Sequence, residues 1–228
     1  MQKIDKSKRN ATAYKEWEEK LEIENKPHPK YNSSNGEFYL DIVMDLFSCQ
    51  KGLCAYTEKR LCNEKHLTSE HWEKGCYTSI KPDFTGQLEH FDESLKAKKK
   101  DTNGKKSWLW NNFLMVDSDI NTKVKGSKSI DDILKPDKAD YEPFELLDYD
   151  LETHRFTAND GNMNLSNEEK ERIKKMIETL GLNFGPILDQ RKDLLAEVRD
   201  RIDFGMETNA TSTGEFPTAF QFFILENS

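Results

Sequence analysis

No apolar run in this 228-residue sequence approaches the roughly 18 residues that a membrane span requires. The opening MQKIDKSKRNATAYKEW is basic but lacks the apolar core of a secretory leader, so a cytoplasmic chain is expected. Cysteine is scarce and confined: Cys49, Cys54, Cys62 and Cys76 all lie in one short segment. Nothing places them in an oxidising compartment, so free thiols or metal ligands are expected rather than disulfides. An excess of positive charge is also missing. The formal net charge is -8, which argues against a chain that grips nucleic acid nonspecifically and unaided. Internal repeats and low-complexity domains are missing as well.

Charge is present but unevenly spread. Residues 95 to 128 hold nine Lys against three Asp, a local +6, while residues 131 to 152 hold nine acids against two Lys, a local -7. A basic island in an acidic chain is a local footprint for an anion, here Lys98, Lys99, Lys100, Lys105, Lys106, Lys123 and Lys125. Apolar spacing predicts a helix over residues 10 to 25, ending before Pro27, because KPHPK does not continue a helix. Phe38 to Phe47 predicts a second, buried helix, and residues 49 to 84 read as irregular. Gln87 to Phe91 and Asn111 to Val116 predict short strands on either side of a Lys-rich loop. A short helix is expected from Asp119, and a hairpin within Phe144 to Phe156. Ser166 and Glu169 form a capping box for a helix that Gly181 ends. Pro186 opens another helix, to about Phe204. The apolar FQFFIL near the end is expected to return to the core. The class is α+β, mainly α.

Chemistry concentrates in two stretches. QLEHF puts Glu89 and His90 at a strand end, where both can reach one site although strand neighbours point apart. WNNFLMVDSDINTKVKG follows, with Asn112 and Asn121 nine positions apart. The order is acid-His, basic loop, Asn on a strand, then Asn at a helix start. It resembles the ββα-metal, or HNH, nucleases. That resemblance implies His90 as general base, Asn112 as the central orienting Asn, Glu89 and Asn121 as metal ligands and Asp119 as a helper. Mg²⁺ or Mn²⁺ is the implied ion, because the ligands are hard oxygens. SDINTKVKG also resembles the S-D-x-N-x-x-K segment of HNH domains in RNA-guided nucleases, which implies phosphate contacts for Lys123 and Lys125.

More of the chain is similar to the small HNH proteins of Septu and retron anti-phage systems (PtuB-like). Their order is C-A-Y-C-E, E-H-F with a Pro-Lys, W-x-N-L and C-x-x-C-N-x-x-K-G. Here it is CAYTE, LEHFDE and WNNFLMVDSDINTKVKG. The later EEKERIKKMIETLGLNFGPILDQRKDLL resembles that family's C-terminal helices. The likeness spans roughly 38 to 200, with sharp motifs only, and implies a central HNH core over 51-130 between a helical segment, 1-50, and a helical region and tail, 131-228. The family's four zinc-knuckle cysteines fall on Cys54, Thr57, Asp117 and Ile120. A structural zinc is therefore expected to be absent, with packing in its place. The Pro-Lys is replaced by Asp92-Glu93.

The resemblance further implies an ABC or SMC-like ATPase partner (PtuA-type), a nucleic-acid substrate with DNA favoured over RNA, and in retron systems a reverse transcriptase with its RNA-DNA. Two other readings stay open. One is a catalytically idle HNH-like binding or regulatory module. The other is a zinc adaptor built on Cys62, His66, His71 and Cys76, which has the ligand types but not a standard finger's spacing.

Overall fold

The computed structural model describes residues 1–31, 36–96, 105–206 and 214–226. Its elements run α1 (Thr12–Ile23), α2 (Tyr39–Cys49), β1 (Trp72–Glu73), β2 (Cys76–Tyr77), β3 (Gln87–His90), β4 (Phe113–Val116), a π-helical turn (Ile120–Lys125), α3 (Pro143–Leu146), β5 (Leu147–Asp150), β6 (Arg155–Ala158), α4 (Asn167–Thr179), α5 (Gly185–Asp203) and α6 (Pro217–Glu226). Among the described residues the strands pair only as three separate antiparallel hairpins, β1 with β2, β3 with β4 and β5 with β6. The class is α+β, as the patterning predicts. No described helix is long and apolar enough to cross a membrane.

The chain forms two compact units that exchange segments along the sequence. One holds Asp5–Leu53 and Leu61–Val116; the other holds Met1–Ile4, Cys54–Arg60 and Asp117–Ser228.

In the first unit, α2 is buried from Asp41 through Phe47, consistent with its apolar sequence. Two carboxylates go in with it, and each meets main-chain donors. Asp41 accepts from Tyr77 N–H at 2.7 Å. Asp45 accepts from the N–H groups of Asn10 and Ala11, both at 3.0 Å. The second contact explains the start of α1: its N-cap position is Ala11, which has no side-chain acceptor, so a carboxylate from α2 takes the donors just ahead of it. Gln50, at the end of α2, closes the outer edge of β4. Its amide donates to Met115 C=O at 2.8 Å and accepts from Met115 N–H at 2.9 Å. All four residues of β4 are buried.

In the second unit, β5 and β6 alternate buried and exposed residues, as a hairpin with one covered face should. Helix α4 begins with the predicted capping box and ends at Gly181, whose φ of +68° suits glycine. A Cβ at Gly181 would lie 2.7 Å from Ile120 Cδ1, so the position also demands a bare backbone. Arg191 of α5 is fully buried. Its guanidinium donates to the carbonyls of His154 and Leu182 and lies over the Phe156 ring. The apolar tail forms α6, burying Ala219, Phe220 and Phe223. Its N-terminus is met by Glu58, which accepts from Thr218 N–H at 3.0 Å and from the Thr218 hydroxyl.

Candidate active site

Strand β3 ends at His90, paired with Phe113 of β4. The imidazole is 2 % exposed. The rings of Tyr31 and Phe113 meet it edge to face, with centroids 4.6 and 4.9 Å away. Nε2 lies 2.9 Å from the carbonyl of Ser107. A carbonyl only accepts, so Nε2 carries the proton and the lone pair sits on Nδ1. Burial pulls the His90 pKa down to about 4, against the favourable Ser107 bond and with a further push from Lys96. The ring is therefore neutral at pH 7, the state a general base needs.

Asn112 lies just ahead of β4 and is 4 % exposed. Its Oδ1 accepts from Asp92 N–H at 2.6 Å, and its Nδ2 donates to Asp92 C=O at 3.0 Å. Phe91 N–H bonds the Asn112 carbonyl at 2.8 Å. One side chain thus pins both polar groups of the residue two beyond His90. This fixes the direction in which β3 ends.

Residues of the N-terminal segment hold Trp108, Trp110 and Phe113, all through their main chain. Tyr14 donates its hydroxyl to Trp108 C=O at 2.6 Å, and Glu18 accepts from Trp110 N–H at 2.7 Å. Lys6 donates to the carbonyls of Trp110 and Phe113 at 2.7 and 2.9 Å. His28 Nδ1 accepts from Trp108 N–H at 3.1 Å.

The other expected site residues are placed as follows. Glu89 is 4 % exposed and pairs across the hairpin with Leu114. It shares the first unit with His90 and Asn112, whereas Asp119, Asn121, Lys123 and Lys125 belong to the second. There, exposed Asp119 pairs with Lys123 one helical turn on, at 2.9 Å. Lys125 is 2 % exposed, so its stem lies inside the unit rather than on a face. Lys106 is exposed and pairs with Glu22, and Lys105 is half-buried. Lys98, Lys99 and Lys100 lie outside the described residues.

Cys54, Thr57, Asp117 and Ile120 come together within the second unit. The Cys54 sulfur accepts from Thr57 N–H at 3.5 Å and from Asp117 N–H at 3.3 Å. Asp117 then caps the following turn: Oδ1 accepts from the N–H groups of Asp119 and Ile120 at 2.9 and 3.2 Å, while Oδ2 meets Lys59 Nζ at 3.0 Å. Burial raises the Asp117 pKa, but Lys59 and the two N–H donors outweigh it and the net shift is downward. Burial pushes the Cys54 thiol up, keeping it protonated. One thiol, one carboxylate already shared between Lys59 and two amides, a hydroxyl and an alkyl group do not make a zinc site.

The second cysteine-histidine set does not gather either. His71 has both ring nitrogens engaged, Nδ1 by Ser79 at 2.6 Å and Nε2 by Lys65 C=O at 2.9 Å, and Cys62 points its sulfur at Asn63 C=O. Among the described residues no group of three or more His, Cys, Asp or Glu side chains is placed to hold a metal ion. Glu89, Asp119 and Asn121 are an oxygen-only donor set. Chemically that suits Mg²⁺ or Mn²⁺, which take few protein ligands and keep their waters.

Four residues that shape these two places were not singled out from the sequence. Tyr31 and His28 lie in KPHPKY, which reads only as a helix end. Ser107 acts through its carbonyl, which any residue supplies, and Lys59 looks like one more surface lysine. No protein-family model matches the chain, and no curated protein matches it.

Proposed function

We propose that the chain is a metal-dependent HNH endonuclease that hydrolyses phosphodiester bonds of nucleic acid, DNA in preference to RNA, within an anti-phage system and together with an ATPase partner. The observation that carries the reading is the state of His90. It is a neutral imidazole at a strand end, with Nε2 tied to a main-chain carbonyl and its lone pair left on Nδ1. Asn112 supports it by orienting the exit of β3, the duty that the resemblance assigns to a central Asn. The contact between Cys54 and Asp117, far apart in sequence, supports it as well, since the family pattern pairs these two positions. So does the π-helical turn. Asn121 to Gly126 has one residue more than the N-x-x-K-G spacing, and a π turn, closed by Gly126 N–H on Asn121 C=O, absorbs one extra residue.

In this mechanism His90 Nδ1 takes the proton from the attacking water. Ser107 C=O holds the tautomer and Asn112 the backbone beside it. The resemblance assigns Glu89, Asn121 and Asp119 as ligands of a Mg²⁺ or Mn²⁺, which would supply positive charge to the attacked phosphate. Lys123 and the Lys-rich loop are the expected phosphate contacts.

The alternative, an idle HNH-like module that regulates a partner, is favoured by the enclosure of His90 under Tyr31 and Phe113. Nicking of supercoiled plasmid with Mg²⁺ or Mn²⁺, with and without the ATPase partner, separates the two. The nuclease reading expects wild-type cleavage and a loss on the order of 10² to 10⁴ in rate for His90→Ala. Equal, background cleavage by both proteins, or full protection of cells by His90→Ala, points to the idle module.

A further inference from the structure

The Ser107–Trp108 peptide is gripped on both edges by histidines. Its carbonyl accepts from His90 Nε2 at 2.9 Å, and its N–H donates to His28 Nδ1 at 3.1 Å. A trans peptide points these two groups in opposite directions, so the histidines lie on opposite sides of one rigid plane. His28 is 2 % exposed and meets Glu22 Oε1 through Nε2, at 3.2 Å. Because Nδ1 accepts, Nε2 is the protonated nitrogen and donates to the carboxylate. Glu22 also pairs with Lys106, the residue just before Ser107. The chain of bonds therefore runs from carboxylate to His28, through one peptide, to His90.

From this geometry we infer that His28 is a positioning residue for His90, acting through the Ser107–Trp108 peptide, and that Glu22 sets its tautomer. The physical argument is one of unmet donors. The Trp108 N–H is buried, and removing its acceptor leaves a buried donor unsatisfied, which is costly. Rotating the peptide relieves that cost, and the same rotation takes the carbonyl away from His90. His90 then loses the bond that holds its proton on Nε2, and the lone pair is no longer confined to Nδ1. Successive bonds in such a chain also polarise one another, so the Glu22 carboxylate increases the acceptor strength of His28 and, through the peptide, of the Ser107 carbonyl. The arrangement resembles the carboxylate-histidine pairs that fix metal-ligand tautomers, here with a peptide as the final link.

The catalytic meaning of this inference rests on the proposed nuclease function, but its structural content does not. The test is therefore read first in the ¹⁵N spectrum of His90 in the full chain, where the Nε2–H and Nδ1–H tautomers have distinct shifts. His28→Phe fills the space without an acceptor, while His28→Asn places an oxygen where Nδ1 stood. The wild type is expected to show the Nε2–H form alone, His28→Phe a mixture, and His28→Asn the single form again. Nicking rates are expected to follow, with about a tenfold loss for His28→Phe and recovery to within about threefold for His28→Asn. Should the Phe variant fail to hold its circular dichroism spectrum, His28→Leu takes its place. A single Nε2–H tautomer in His28→Phe or His28→Leu overturns the inference, and so does a mixture in His28→Asn equal to that in the Phe variant. Absence of nicking by the wild type would remove the nuclease reading while the tautomer result still decides this one.

Discussion

Around Asn112 an irregular segment is held by a side-chain amide; around Cys54 it is held by a thiol and a carboxylate. In the first place the residues expected from the sequence make the contacts themselves, as when Asn112 takes both polar groups of Asp92. In the second place a contact joins Cys54 and Asp117, which lie far apart in sequence. The sulfur accepts two amides, and Asp117 pairs with Lys59 while capping the next turn. The difference is one of tolerance. An orienting amide has few substitutes, because it must donate and accept at once in a fixed geometry. A clamp needs only closure, and a lysine-aspartate pair with N–H···S bonds supplies it.

The strongest way to break the comparison is at the amide. Asn112→Ala should remove both bonds to the Asp92 main chain and lower stability by about 1–2 kcal/mol, read by urea denaturation. It should also cut any nicking by His90 at least tenfold. Asn112→Asp should behave nearly as badly, since a carboxylate cannot donate to Asp92 C=O. If Asn112→Asp is silent in both measurements, the two-point clamp is not what orients β3.

Acid offers the next test. The folded pKa of His90 lies near 4, below its unfolded value near 6.5. Between those values the unfolded chain binds the proton and the folded chain does not, so stability should fall as pH drops from about 6.5 to about 4, by roughly 3 kcal/mol in total. His90→Phe should flatten that part of the curve. Asp117 acts lower down: its depressed pKa means its contribution is present above the unfolded value and is lost as pH falls through the folded one.

On the clamp side, Asp117→Ala removes a cap and an ion pair and should cost about 1–2 kcal/mol. Lys59→Met should cost less than about 1 kcal/mol, because the ammonium is partly in water. A Lys59→Met cost equal to that of Asp117→Ala would mean that charge, not capping, holds this turn in place. The smallest expected effect comes from Tyr31→Ala. Opening one aromatic wall should raise the His90 pKa from about 4 towards its ordinary range, followed by NMR titration, with little change in fold.

Much of the fold was legible because local rules wrote it. The Ser166–Glu169 box, the stop at Gly181 and the apolar body of α2 depend on neighbours within a turn or two, and each appears where the sequence predicts. The expected strand from Asn111 starts two residues later, since Trp110–Asn112 form a 3₁₀ turn that presents the Asn112 amide to Asp92. What sequence reasoning could not reach are contacts made through the main chain or over long separations. Asp45 caps a helix thirty-five residues earlier, and Glu58 meets a helix 160 residues later.

By itself, then, the sequence determined the element types and the short motifs, because periodicity, capping and turn chemistry act over a few residues. Only the tertiary structure decided which protonation state His90 adopts, that His28 stands behind it across a single peptide, and that Asp117, Lys59 and Cys54 meet. Those outcomes depend on burial and on hydrogen bonds to carbonyls and amides that every residue carries, so no residue type announces them.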